Sequence, residues 1–166
     1  MIYSIGTVCI ILGFTLEGMR RASLLIRRRQ LLLECLRLCK WMEREVSDRR
    51  TSITEMIDAQ CESGSTLSDF LRQVQHDMAT APFHLVWKQN VSRYFNCLKK
   101  EDLNWLVKVS DAFKNIHIDS VEKELSFTIS GIQARYEEAL EMEQKFVKIY
   151  RTIGFMTGCI AVLLLI

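Results

Sequence analysis

The sequence predicts an all-α protein: a cytoplasmic antiparallel bundle of about six helices, set between an N-terminal and a C-terminal transmembrane helix. Three observations carry this. One proline and seven glycines occur in 166 residues, and no segment alternates with the two-residue period of a strand. Apolar residues return at helical spacing along most of the chain. Charge is confined to the middle: all 22 Lys and Arg, and every acid except Glu17, lie between Arg20 and Arg151. The predicted division is residues 1–19 as a first span, 20–145 as the bundle and 146–166 as a second span.

The first span is apolar from Met1 to Leu16 and is followed, not preceded, by basic residues: Arg20, Arg21, Arg27, Arg28 and Arg29. A cleaved secretory signal has the reverse order. An uncleaved anchor with its N-terminus outside is therefore expected, because Lys and Arg mark the cytoplasmic side. Lys145, Lys148 and Arg151 ahead of the second span give the same orientation, so both termini are expected outside the cell membrane. The arginine run also has the chemistry to meet anionic headgroups, but setting the topology is the preferred account of it.

Within the bundle a stripe of Leu25, Leu32, Cys35, Leu36, Cys39, Met42 and Val46 predicts a helix ending before Asp48-Arg49-Arg50, which reads as a connection. Ser52-Ile-Thr-Glu55 is a capping-box signature, and Gly64 a helix stop. Thr66-Leu-Ser-Asp69 opens a helix with Leu67, Phe70, Leu71, Val74 and Met78 on one face. Pro82 suits the first turn of the next, which carries Phe83, Val86, Trp87, Asn90, Tyr94, Phe95 and Leu98. Lys99-Lys-Glu-Asp102 precedes Leu103, Leu106, Val107 and Phe113, and Asn115 to Ile118 form the last loop.

Asp119-Ser120 with Glu122 caps the final helix, which no proline interrupts. Its apolar stripe runs through Val121, Leu125, Ile129, Ile132, Tyr136, Leu140, Phe146 and Tyr150, with one gap at Glu143. Ser130-Gly131 marks either a kink or a close packing contact. From Ile153 the pattern becomes apolar all round, as suits lipid or a buried core. Ile153 to Ile166 alone rises only ~21 Å against a hydrocarbon core of about 30 Å. Starting at Phe146, with Lys148 and Arg151 snorkelling to the interface, the helix reaches roughly 31 Å. Its apolar residues from Ile153 on, at about −0.5 kcal/mol each, contribute on the order of −4 kcal/mol to insertion. The last helix is thus expected to be continuous with the second span. Gly154 and Gly158 form a G-x-x-x-G pair and Gly6 and Gly13 put small groups on the first span, so these four are the expected packing residues of the membrane helices.

No catalytic constellation emerges. His76, His84 and His117 lie in separate elements, there is no phosphate-binding loop, and the acids Glu137, Glu138, Glu141 and Glu143 read as a solvated helix face. Six cysteines lack paired metal-ligand spacing, and neither a metal nor another cofactor is expected. A net charge of +2 gives no nucleic-acid footprint.

The order of motifs resembles the stage III sporulation protein AB family of endospore-forming bacteria over essentially the whole chain. The resemblance rests on the glycine-containing anchor (Gly6, Gly13, Gly18), the Leu-rich helix ending near Glu43-Arg-Glu-Val46, Lys-Lys-Glu-Asp-Leu103, Ile-His-Ile-Asp119, and the closing Ile-Gly-Phe155, Gly158 and Leu-Leu-Leu-Ile166. Arg49-Arg50 and Ser52 stand where that family usually turns with glycine and proline, and Ser110 and Lys114 near two further expected glycines. The resemblance implies a fold similar to the cytoplasmic domain of general secretion pathway protein F. It also implies a non-enzymatic platform subunit of the secretion-like channel joining mother cell and forespore, placed on the mother-cell side in the outer forespore membrane. The implied partners are the secretion-type ATPase, stage III sporulation protein AA, other membrane proteins of the same operon and the lipid bilayer; a homo-oligomer stays open. The alternative is a membrane-anchored helical scaffold or holin-like component unrelated to sporulation.

Overall fold

A computed structural model of the chain describes residues 2–49, 51–61, 67–114 and 118–165. Among them the protein is six α-helices and one π-helical turn, with no strand. The helices are α1 (Ile2–Arg44), α2 (Ile53–Cys61), α3 (Ser68–Met78), α4 (Phe83–Tyr94), α5 (Lys100–Ala112) and α6 (Ile118–Leu165). Expectations placed on Gly64, Thr66, Arg50 and Asn115 to His117 lie outside the described residues, as does the side chain of Asp119. The chain forms two compact units, Met1–Gln30 with Glu137–Ile166, and Leu31–Tyr136. Both long helices contribute to both units.

In the second unit the predicted stripes become core. Leu32, Met42, Met56, Ile57, Leu71, Val74, Val91, Leu106, Leu125 and Ile132 are fully buried. Successive helices pack, α2 on α3, α3 on α4 and α4 on α5. Their common centre is aromatic: Phe70 meets Trp87 edge-on at 5.0 Å, and Phe83 meets Trp87 at 5.3 Å and Phe113 at 5.6 Å. Such pairs add to the burial of ring area. Trp87 is nearly sealed from water, so its indole N–H needs a partner, and it donates to the Leu106 carbonyl at 2.8 Å. The ends of two stripes reach the surface instead: Tyr94 is exposed and Met78 half-buried.

Local signals decide the helix ends. The connection expected at Asp48-Arg49 is a π-helical turn over Glu45–Arg49, closed by Thr51 N–H donating to the Glu45 carbonyl at 3.3 Å. Ser52 Oγ accepts from the Glu55 N–H at 3.4 Å, as its capping signature predicts. Pro82 stands just before α4 rather than inside it, extended at φ −66° and ψ 147°. Its carbonyl takes the first free amides, Leu85 and Val86 N–H, at 3.0 and 3.3 Å. Asp102 reaches back to the Lys99 N–H at 3.1 Å and so caps α5.

Buried polar groups bind the unit together. Asp102 has no solvent exposure, and its other oxygen accepts from Arg135 Nε on α6 at 3.1 Å. Asn90, equally buried, donates to Asp77 and to the Val86 carbonyl, both at 3.0 Å; its Oδ1 has no hydrogen bond among the described residues. The Asn90 amide, then His76, with a smaller help from Gln73, hold the Asp77 carboxyl below its ordinary range. A carboxyl held low favours the folded state above its unfolded pKa, and that contribution is lost as pH falls through the folded value.

Gly131 is a packing contact. The Trp105 ring lies on its α-carbon so closely that an added Cβ would overlap ring atoms. Gly131→Ala therefore gains about 1 kcal/mol of helix propensity but forces out a large ring, which costs about 1–3 kcal/mol. The expected result is a destabilised second unit with shifted tryptophan emission, read by chemical unfolding of the detergent-solubilised protein. A stabilised variant would refute this packing.

Candidate membrane-anchoring helix pair

The first unit is built from the N-terminal part of α1 and the C-terminal part of α6. Exposed apolar side chains cover it: Leu12, Phe14, Leu16 and Met19 on α1, and Ile153, Phe155, Met156, Ile160 and Leu163 on α6. Leu163 is 77% exposed. Among the described residues one helix, Ser120–Leu163, is long and apolar enough to cross a membrane, and only 11% of its most apolar stretch is buried within the chain. A core helix of a soluble protein shows the opposite.

Where the two helices meet, glycine sets the distance. A Cβ on Gly154 would stand 2.8 Å from the Phe14 carbonyl oxygen and 3.0 Å from the Gly18 α-carbon. One on Gly18 would stand 2.5 Å from the Tyr150 carbonyl oxygen and 3.1 Å from the Gly154 α-carbon. A Cβ on Gly158 would stand 3.0 Å from the Ile11 α-carbon. These are backbone-to-backbone contacts that only a residue without a side chain permits. Gly154 and Gly158 thus lie in the contact between the helices, with Gly18 as their counterpart on α1. Gly6 and Gly13 do not join it: a Cβ on either meets nothing within 4 Å.

The basic residues divide by direction. Arg20 and Arg21 are 77% and 62% exposed and share Glu17, at 3.6 and 3.0 Å. Arg27, Lys148 and Arg151 are exposed. Arg28 departs from the interface role expected of it. It is 4% exposed and pairs with Glu138 on α6 at 3.4 Å. Arg29 pairs with Glu143 of the same helix. The gap in the apolar stripe at Glu143 is therefore an ion-pair position, and Glu138 is a second one. Neither acid is part of a plain solvated face. Adjacent arginines opposite two acids five residues apart were the signal for this.

Among the described residues no group of three or more His, Cys, Asp and Glu is arranged to hold a metal. Cys35 and Cys39 are buried free thiols. Burial pushes Cys39 up to about 12 and Cys35 well above the usual thiol range, so both stay protonated and unreactive.

Residues 4–166 match the family model described as stage III sporulation protein AB. No curated protein and no solved structure matches the chain.

Proposed function

Since the chain belongs to the stage III sporulation protein AB family, and is therefore a sporulation protein, we propose that it is a non-enzymatic platform subunit of the secretion-like channel between mother cell and forespore. In this reading the first unit anchors in the bilayer through two spans, α1 and α6. The second unit stands in the cytoplasm and docks a cytosolic ATPase, stage III sporulation protein AA. The observation that supports it best is the exposed apolar surface carried by both helices of the first unit, beside a second unit whose surface is densely and alternately charged. A lipid-facing anchor has the first kind of surface; a polar, reversible interface has the second. The positive-inside rule applied to Arg20, Arg21, Arg27, Lys148 and Arg151 puts both termini outside.

Two measurements test the reading. An engineered cysteine at Asp69, an exposed position of α3, should resist a membrane-impermeant thiol reagent in intact cells and react once they are permeabilised. Strong labelling of intact cells would reverse the orientation. The full-length protein in detergent should bind the ATPase with an affinity that falls as salt rises, and should hydrolyse no ATP by itself. A folded protein that shows no binding at low salt would end the docking reading.

A further inference from the structure

One face of the second unit has the marks of a docking surface, and neither the core nor the anchor uses it. Phe127, on α6, is 63% exposed. It lies 5.6 Å from Trp105, whose ring is itself seated on Gly131. The Lys108 ammonium stands 4.1 Å over the Trp105 ring and 5.8 Å from that of Phe127. A hollow of about 330 Å³ opens here, lined by Lys108, Asp111, Lys123, Glu124, Phe127 and Thr128. A second, of about 690 Å³, shares Phe127 and Lys123 and adds Glu43, Glu122 and Ser126. Phe127 is thus an aromatic wall common to two hollows, ringed by charge.

The charges are unequally committed. Asp111 is held by Lys114 at 2.5 Å. Among the described residues neither Lys108 nor Lys123 holds a carboxylate. Two lysines without an acid, one fixed over aromatic rings, leave a place for a single carboxylate beside an apolar wall. An extended anionic surface, lipid or nucleic acid, fits poorly, because Glu124, Glu43 and Glu122 stand among the lysines and would repel it. An exposed aromatic inside a polar rim is the usual composition of an interface hot spot.

We infer that the Phe127 face is where the second unit docks its protein partner, taking an apolar side chain against Phe127 and a neighbouring Asp or Glu onto Lys108 and Lys123. This rests on the docking reading above and names its surface. Binding would remove Phe127 from water and give both ammonium groups a counter-charge, so affinity has an apolar part and a salt-sensitive part.

The test uses the full chain in detergent with the ATPase as probe, compared with Phe127→Ala, the double variant Lys108→Glu/Lys123→Glu, and Arg93→Glu as a control at an exposed position of α4. Circular dichroism checks that each variant folds. Phe127→Ala should weaken binding at least tenfold without changing its salt dependence. The double lysine variant should weaken it at least as much and flatten the salt dependence. Arg93→Glu should stay within twofold of the parent. If the parent binds and both Phe127 and lysine variants bind equally well, this face is wrong and the docking reading stands. If the parent itself does not bind, the docking reading falls and this proposal with it.

Discussion

Gly18→Leu parts α1 from α6 in the first unit, whereas Gly13→Leu, five residues earlier on the same helix, leaves the pair intact. The difference follows from what each new side chain meets. At position 18 a Cβ stands 2.5 Å from the Tyr150 carbonyl oxygen and 3.1 Å from the Gly154 α-carbon, and backbone cannot step aside as a side-chain tip can. At position 13 nothing lies within 4 Å. Overpacking of this kind costs about 1–3 kcal/mol, enough to lower the melting temperature of the detergent-solubilised protein by several degrees. Gly13→Leu should melt with the parent. Gly154→Leu should repeat the Gly18 result, since the two α-carbons face each other. Equal melting of the Gly13 and Gly18 variants would mean that the helices do not cross at Gly18.

Asp102→Ala is expected to destabilise the second unit strongly. It removes, from a site with no solvent exposure, the acceptor of the Lys99 amide and of Arg135 Nε. Breaking a buried pair by deleting one partner costs about 3 kcal/mol or more, because the other group loses its counter-charge. Here Glu101, 3.2 Å from the Arg135 guanidinium, softens the loss and keeps it near the lower end. Asp102→Asn keeps one of the two acceptor oxygens but turns an NH2 towards the other donor and removes the charge, so it should also destabilise. Chemical unfolding followed by tryptophan fluorescence reads both, and an Ala variant as stable as the parent would show that the cap and ion pair carry no net stability.

Helix existence was legible because it depends on periodicity, and the stripes through Leu32, Phe70, Val86, Leu106 and Leu125 became the core of the second unit. Direction was less legible. Successive residues on a helix point about 100° apart, so Arg27 faces outward and Arg28 inward although both count equally in a charge rule. Glycine pairing has the same limit. Gly154 and Gly158 share a face by their spacing, but which glycine of α1 meets them depends on where the helices cross. That point is fixed by contacts across the whole helix pair, and it selects Gly18 over Gly6 and Gly13. Gly131 carried an explicit ambiguity between kink and contact, which the Trp105 ring decides. Exposed Phe127 left no mark in the pattern, since one apolar residue off the stripe looks like ordinary surface.

The division of the chain into units also imposes an order of events during synthesis. The second unit is one uninterrupted stretch, Leu31–Tyr136, and its helices can collapse as soon as they leave the ribosome. The first unit cannot. Its halves come from the two ends of the chain, and even its Arg28–Glu138 pair joins residues 110 apart. Until the final helix is made, α1 has no partner for Gly18 and Arg28 has no Glu138. Closing so long a loop in an unfolded chain is slow, but a bundle already folded in between holds the tether short before the last segment appears. A chain truncated before Glu137 would therefore hold the residues of the second unit and an α1 whose first part has nothing to pack on.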